Sequence, residues 1–527
     1  MKDGIWKLSV SALVCLMGLT ALHAAASGDE DASYARVLLL SIDGIHAADL
    51  ARYVANHPDS ALAQLTATGR TYTHAAATKP SDSFPGMLAM VTGGTPRSTG
   101  VYYDDGYDRS LVSASGTCVP GVTVPGTRTQ WKQNLDTIPV ASAFNTVIDP
   151  NKLPRRADDC SRVFPHQFPR VNNVFELIKA AGGRTAWSDK HPAYEFLNGP
   201  SGAGIDDLYT PEIASCDGFL PCASSQVTSQ FFNKTMQYDD MKVDAIVHQI
   251  DGLDHTGQNP APVPTLFGMN FQAVSVGQKL DLTPLSGPKG GYVDAGGTPS
   301  ESLDAALTHT DESIGRMVSE LRDRGLLDST LIIISAKHGN SPIDPATLRR
   351  IDPAGIMNIV NGIQAGLVAQ LSADTGPLLW LKDQSRTEEV VQRLKAADPA
   401  VTGIDASAPG QGVLWGADLA AVYANPLTDA RAPDIILLPL AGTVYTPAVA
   451  TSTKIADHGG FGDDDVHVAL LVSSGRMAAK TIDDPVETRQ IACTILKAVG
   501  LECSGLQSEQ IEPSKFLPRS NHKNGIE

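Results

Sequence analysis

Val37-Leu38-Leu39-Leu40-Ser41-Ile42-Asp43-Gly44 is a nearly unbroken apolar run that stops on an acid and a glycine. A half-exposed strand alternates apolar and polar residues, whereas a continuous run suits a strand buried on both faces of a parallel sheet. Similar runs stand at residues 245–250, 331–334, 435–438 and 468–472, each followed closely by polar residues. Upstream of the 331–334 run, Leu303, Ala306, Leu307, Ile314, Met317, Val318 and Leu321 fall at helical spacing, with Gly325 as a stop. Strands alternating with crossover helices predict an α/β fold around a mainly parallel central sheet.

The 527 residues contain no internal repeat and no long low-complexity linker. One large domain is therefore expected over residues 27–527, with Pro/Gly-rich insertions near 259–298 and 340–433. The second insertion is long enough to hold its own helices and strands, and substrate preference is expected to reside in such segments. Residues 1–26 read as a secretory signal: Lys2 and Lys7 flank the start of an apolar run over 8–22, and Ala24, Ala25 and Ala26 follow it. That run is shorter than the ~20 residues needed to span a bilayer, so the expectation is a secreted or periplasmic chain with no membrane span after cleavage. Removing the signal leaves Cys118, Cys160, Cys216, Cys222, Cys493 and Cys503. The short loops favour Cys216–Cys222 and Cys493–Cys503 bridges, leaving Cys118 for Cys160. A net charge of −17 with no basic stripe excludes a nucleic-acid polymer as main partner. Small anions held through bound cations stay open.

In open parallel sheets ligands gather beyond the carboxyl ends of the strands. Three of the predicted strands end in Asp43-Gly44, in Asp251 with His255 four residues later, and in Lys337-His338-Gly339; Asp457-His458-Gly459-Gly460 adds a late histidine. Singly, each is at least as well read as turn chemistry. Jointly, imidazoles and carboxylates form the ligand set that zinc and similar divalent ions accept. Ser83 lies in Lys79-Pro80-Ser81-Asp82-Ser83-Phe84-Pro85-Gly86, ahead of an apolar run over 87–91. This predicts a helix start with Ser83 as N-cap and Pro85 in the first turn, whose free N–H groups would face a phosphate. Asp189-Lys190-His191, leading to Tyr194 after an apolar patch at 185–187, is assigned a structural role by default.

These pieces, in this order, resemble the nucleotide pyrophosphatase/phosphodiesterase branch of the alkaline phosphatase superfamily. The matching motifs are Ser41-Ile42-Asp43-Gly44, Ser83-Phe84-Pro85 with Val91-Thr92-Gly93, Asp251 with His255, His338-Gly339 and His458-Gly459. The resemblance implies a three-layer α/β sandwich and one or two divalent ions, zinc foremost. One ion would be held by Asp251, His255 and His458, the other by Asp43, Ser83 and His338. It also implies a small phosphate-ester substrate and an in-line attack by Ser83 that forms a phosphoserine, which a metal-bound water releases. A phosphodiesterase is the leading expectation, and a phosphomonoesterase or a catalytically inactive ligand-binding relative are the alternatives. A sulfatase is disfavoured because Ser83, Pro85 and Met87 occupy the frame in which that group needs Pro and then Arg.

Two positions depart from the family pattern. Lys337 stands where the family has the Asp of an Asp-His pair, and an ammonium cannot ligate a metal. Either the second ion is held by Asp43, His338 and Ser83 with water, or the Lys337 ammonium takes over part of its electrostatic task. Asp104 stands where an Asn usually donates to phosphate. An ionised carboxylate cannot donate, so pairing with Lys337, metal ligation and a place outside the site are its open roles.

Overall fold

The structure, a computed structural model, describes residues 33–521 apart from 132–134, 136, 138–143, 145, 216–227, 284–286 and 448. The signal segment and the expected Cys216–Cys222 pair lie outside the described residues.

An eight-stranded sheet forms the centre. Its strands in chain order are β1 (Arg36–Ile42), β2 (Gly69–Tyr72), β3 (Ala186–Ser188), β4 (Asp207–Tyr209), β5 (Leu266–Phe271), β6 (Thr330–Ser335), β7 (Leu470–Ser473) and β8 (Lys480–Ile482). They lie in the order β8-β2-β7-β6-β1-β5-β3-β4. β1 pairs in parallel with both β5 and β6, and β7 is the antiparallel exception. Val37 to Leu40 and Ile42 are fully buried, as the continuous apolar run predicts. Six helices matter for the site: α1 (Ser83–Thr92), α2 (Val174–Ala180), α3 (Phe232–Ile250), α4 (Ala273–Lys279), α5 (Glu301–Asp323) and α6 (Gln490–Ala498). Leu38, Leu40 and Ile42 share a core with Val243 and Ile246 of α3 and with Leu303 and Ile314 of α5. Helices α1, α2 and α6 pack on one another, with α6 against β1, which completes the three-layer sandwich. Each buried Leu or Ile contributes roughly 1.5–3 kcal/mol, so the strand that ends in Asp43 is firmly anchored.

The strand expected at residues 245–250 is instead the last part of α3. Upstream, Phe232, Thr235, Tyr238, Asp239, Lys242, Val243 and Ile246 are buried at helical spacing, and a short apolar run alone does not separate strand from helix. The strand that pairs with β1 is β5, inside the stretch read as the 259–298 insertion, where prolines and Gly268 disguise it. The second insertion carries a four-stranded antiparallel sheet in the order Val368–Ser372, Leu378–Leu381, Ile435–Leu437, Val413–Trp415. It has its own core, which includes Leu379, Val390, Leu394 and Ile435. The 435–438 run therefore belongs to this lobe and not to the central sheet. Cys493–Cys503 is bonded, as its short loop predicts, and so is Cys118–Cys160, the pair expected to be left over. Among the described residues no helix is long and apolar enough to cross a membrane.

The inserted lobe is tied to the loop after His458 through Asp465, whose buried carboxylate accepts from Thr375 Oγ1 at 2.7 Å. Burial pushes this carboxyl up to about 7, against the opposing pull of its hydrogen bonds. A raised folded-state pKa means that its contribution is fully present below the unfolded value near 4 and is lost as pH climbs through 7. The arithmetic gives at most about 4 kcal/mol. Denaturant unfolding of Asp465→Asn is expected to show a flatter stability curve than the parent between pH 4 and 7; parallel curves would refute this assignment.

Candidate functional site

Asp43 leaves the carboxyl end of β1 with its backbone held on both sides: its N–H donates to Phe271 O at 3.1 Å, and that of Gly44 to His338 O at 3.0 Å. Gly44 has φ +87°, and a Cβ there would strike the Gln278 and Asn340 side chains. The chain can thus turn sharply just where the carboxylate must face inward. Ser83 arrives from the other layer on α1. The N-cap is Asp82 and not Ser83: Asp82 has extended backbone and its carboxylate accepts from Phe84 N, which makes Ser83 the first helical residue. Pro85 is in the first turn as expected. A Cβ on Gly86 would lie 2.1 Å from Lys337 O, so only glycine lets α1 settle this closely on the exit of β6.

Ser83 Oγ lies 2.9 Å from Lys190 Nζ and 3.2 Å from His338 Nε2. The Lys190 ammonium also donates to Asp43 Oδ2 at 3.0 Å. Beside it, Lys337 Nζ donates to Asp189 Oδ1 at 3.0 Å and to Tyr194 OH at 2.8 Å, and stands 3.9 Å from Asp43 Oδ2. Amides complete the Asp43 shell: Asn270 Nδ2 donates to Oδ1 at 2.7 Å and Gln272 Nε2 to Oδ2 at 2.6 Å. Burial alone would raise the Asp43 carboxyl, but the Lys337 and Lys190 ammonium groups outweigh it and hold the group well below the usual carboxylate range. Burial likewise opposes the Lys190 charge, and Asp43 and Asp189 overcome it, so Lys190 titrates above its ordinary value. For Lys337 burial wins and lowers the ammonium to about 8. Burial also lowers both His338 and His458, so the imidazoles are neutral near pH 7. Their rings stack with centroids 3.8 Å apart. His338 Nδ1 lies 2.9 Å from Gly339 O, which assigns the proton to Nδ1 and leaves Nε2 as an acceptor toward Ser83.

The structure thus brings together Asp43, Ser83, Lys337, His338 and His458. Asp104 is near: its backbone N–H donates to Asp82 Oδ2 at 3.1 Å. Burial and then the Asp104 charge raise Asp82 well above its usual value. The partner of Lys337 is Asp189 and not Asp104. Asp251 and His255 are placed elsewhere. α3 runs against the strand direction, with Asp239 capping the backbone after β5 and its last residue delivering Asp251 to the opposite edge. There Asp251 pairs with Arg324 at 2.5 Å, just before the chain enters β6. His255 pairs with Asp207 at the start of β4 at 2.6 Å. A six-residue strand separates these residues from Asp43, roughly 20 Å at ~3.3 Å per residue. The expected ligand set of Asp251, His255 and His458 does not assemble, because its first two members ride on a helix end and not on a strand end.

A divalent ion does not fit between Asp43 and Ser83 either. Both oxygens of Asp43 already accept from amides and from Lys190, and the lysine nitrogen lies between the Asp43 and Ser83 oxygens that such an ion would bridge. Among the described residues, the only three His, Cys, Asp or Glu ligand atoms within 4.8 Å of one another are in Cys493, Cys503 and Glu509, two of which form a disulfide. Sequence reasoning missed Lys190, Asn270 and Gln272 as site residues. The available signal was position: Asp189-Lys190 follows β3, and Asn270 to Gln272 ends β5, at the same edge as Asp43. Asp251→Ala and His255→Ala are expected to leave any Ser83-dependent turnover within about twofold, since neither reaches the site; a loss beyond tenfold in steady-state assays would contradict that placement.

A family profile described as type I phosphodiesterase/nucleotide pyrophosphatase matches residues 37–132 and 186–461. No curated protein matches the chain by sequence. Among solved structures, murine ectonucleotide pyrophosphatase/phosphodiesterase 5 aligns with TM-score 0.53 and 12% identity over 89% of this chain and 96% of that one. An inactivated variant of the murine protein in complex with AMP aligns equally well. The alkaline phosphatase PafA aligns with TM-score 0.55 and 11% identity over 90% and 97%. At such identities the likeness establishes the alkaline-phosphatase-like fold.

Proposed function

The chain belongs to the type I phosphodiesterase/nucleotide pyrophosphatase family, and from that premise we propose that it is an exported phosphate-ester hydrolase, a phosphodiesterase first, with Ser83 as nucleophile. The observation that carries this reading is Ser83 Oγ held between Lys190 Nζ and His338 Nε2 at the first turn of α1. A serine hydroxyl is a weak nucleophile near neutral pH unless a base receives its proton and a positive group steadies the forming alkoxide. His338 Nε2 is the base. Ser83 Oγ attacks phosphorus, its proton passes to His338, and the bond from phosphorus to the leaving oxygen breaks as that oxygen takes the proton. Water then attacks the phosphoserine, the Ser83 Oγ–P bond breaks, and a proton returns to Ser83. The N–H groups of the first helical turn favour the phosphoryl oxygens.

Export is supported by the Cys118–Cys160 and Cys493–Cys503 disulfides, which form in oxidising compartments. A small ester suits Ser83, His338 and His458, each less than a tenth exposed.

A panel of bis-p-nitrophenyl phosphate, p-nitrophenyl phosphate, AMP and p-nitrophenyl sulfate tests the proposal. Turnover is expected on the diester above the monoesters, with none on the sulfate. Ser83→Ala should lose at least about 10³-fold in kcat/KM. Equal turnover by Ser83→Ala would remove Ser83 from the chemistry. No turnover on any ester would favour a ligand-binding relative.

A further inference from the structure

We propose that Lys190 and Lys337 supply the positive charge at this site in place of divalent cations, with Lys190 polarising Ser83 directly, so that the phosphoryl group is bound and transferred without a metal. This rests on the phosphate-ester reading of Ser83. Three features of the geometry carry it.

First, Lys190 Nζ donates to Asp43 Oδ2 and to Ser83 Oγ at hydrogen-bond length, 3.0 and 2.9 Å. A bridging divalent ion would stand about 2.0–2.2 Å from the same two oxygens. The ammonium and the ion therefore compete for one place. Second, the carboxylate that such an ion would share is committed in full. Asp43 is wholly buried and receives Asn270 on one oxygen and Gln272 and Lys190 on the other. Neutral amides stand beside it and contribute donors, whereas a metal needs acceptors. Third, a second ammonium is held apart from the first and is equally built in. Lys337 is fully buried, fixed by Asp189 and Tyr194, with its nitrogen 4.1 Å from the centre of the Tyr194 ring. Burying two lysines within reach of one aspartate costs desolvation that no surface function would justify. It is matched by a task in which two positive groups face an anionic transferring group that gains negative charge as Ser83 attacks.

Lys190 touches the reacting oxygen and is a catalytic residue on this reading. Asp189, which orients Lys337 and caps its own backbone on Lys190 N at 2.8 Å, is a positioning residue. The transfer step is the one already written: the proton of Ser83 goes to His338, and Lys190 keeps its own protons and stabilises the oxygen as negative charge grows on it.

Two measurements on the mature purified chain test the proposal and fail independently of each other. The first is direct zinc titration by calorimetry with Ser83→Ala as comparison, together with metal analysis of the untreated protein. Substoichiometric metal and no difference between parent and Ser83→Ala are expected. One or two tightly bound ions per chain, weakened tenfold or more by Ser83→Ala, would overturn the proposal whether or not any ester is hydrolysed. The second is turnover of bis-p-nitrophenyl phosphate before and after exhaustive chelation, with Lys190→Met and Lys190→Arg. Rates within twofold after chelation, a loss of at least 100-fold in kcat for Lys190→Met and partial rescue by Lys190→Arg are expected. Activity abolished by chelation and restored by zinc would overturn it, as would a fully active, folded Lys190→Met. If Ser83→Ala proves as active as the parent, the phosphate-ester reading fails, while the zinc titration still decides what occupies the place beside Asp43.

Discussion

The buried carboxylate of Asp43 is the group on which the site depends. It ends the central strand of the sheet, it is shut off from water, and it is ionised because two ammonium groups face it. Removing one partner of a buried ion pair costs roughly 3–5 kcal/mol, more than most surface features contribute together. Everything around it serves that arrangement. β5 brings Asn270 and Gln272 to its oxygens, the turn after β3 brings Lys190, and the exit of β6 brings Lys337 and His338. α1, lowered onto that exit through Gly86, sets Ser83 against the same cluster.

A metal site and an ammonium site solve one electrostatic problem with different demands on the fold. A divalent ion needs several acceptor side chains with free lone pairs converging at about 2 Å. An ammonium needs acceptors at about 3 Å and arrives on its own stem, so the chain can place it covalently. Around Asp43 the donors are many, and His338 and His458 stack on each other while facing different carboxylates, Asp43 and Asp82. On the proposed reading, the scaffold stays while the positive charge beside Ser83 comes from lysines.

Much of this was legible in the sequence, and the failures have physical causes. The run into Asp43 reads correctly because a strand covered on both faces leaves an unbroken apolar record, and α5 reads correctly because one apolar face repeats over many turns. Ser83, His338 and His458, read from motifs at helix and strand ends, lie together in space. Asp251 and His255 were misplaced because the short run at 245–250 carries no period long enough to tell a helix end from a strand, and because β5 was hidden among prolines. With β5 unseen, Asn270 and Gln272 could not be recognised as the neighbours of Asp43. Lys337 was flagged as a departure, but its partner depends on how Asp189 turns after β3. Lys190 stood in the Asp189-Lys190-His191 stretch that was given a structural role by default, because a lysine in sequence is a surface residue until the fold buries it.

Anomalous X-ray diffraction from crystals soaked in zinc, collected at the zinc edge, addresses the ammonium-for-cation substitution most directly. The geometry around Asp43 predicts ordered Lys190 density between Asp43 and Ser83 and no anomalous peak there. A peak within about 2.2 Å of both Asp43 Oδ2 and Ser83 Oγ, with the Lys190 side chain displaced, would contradict it.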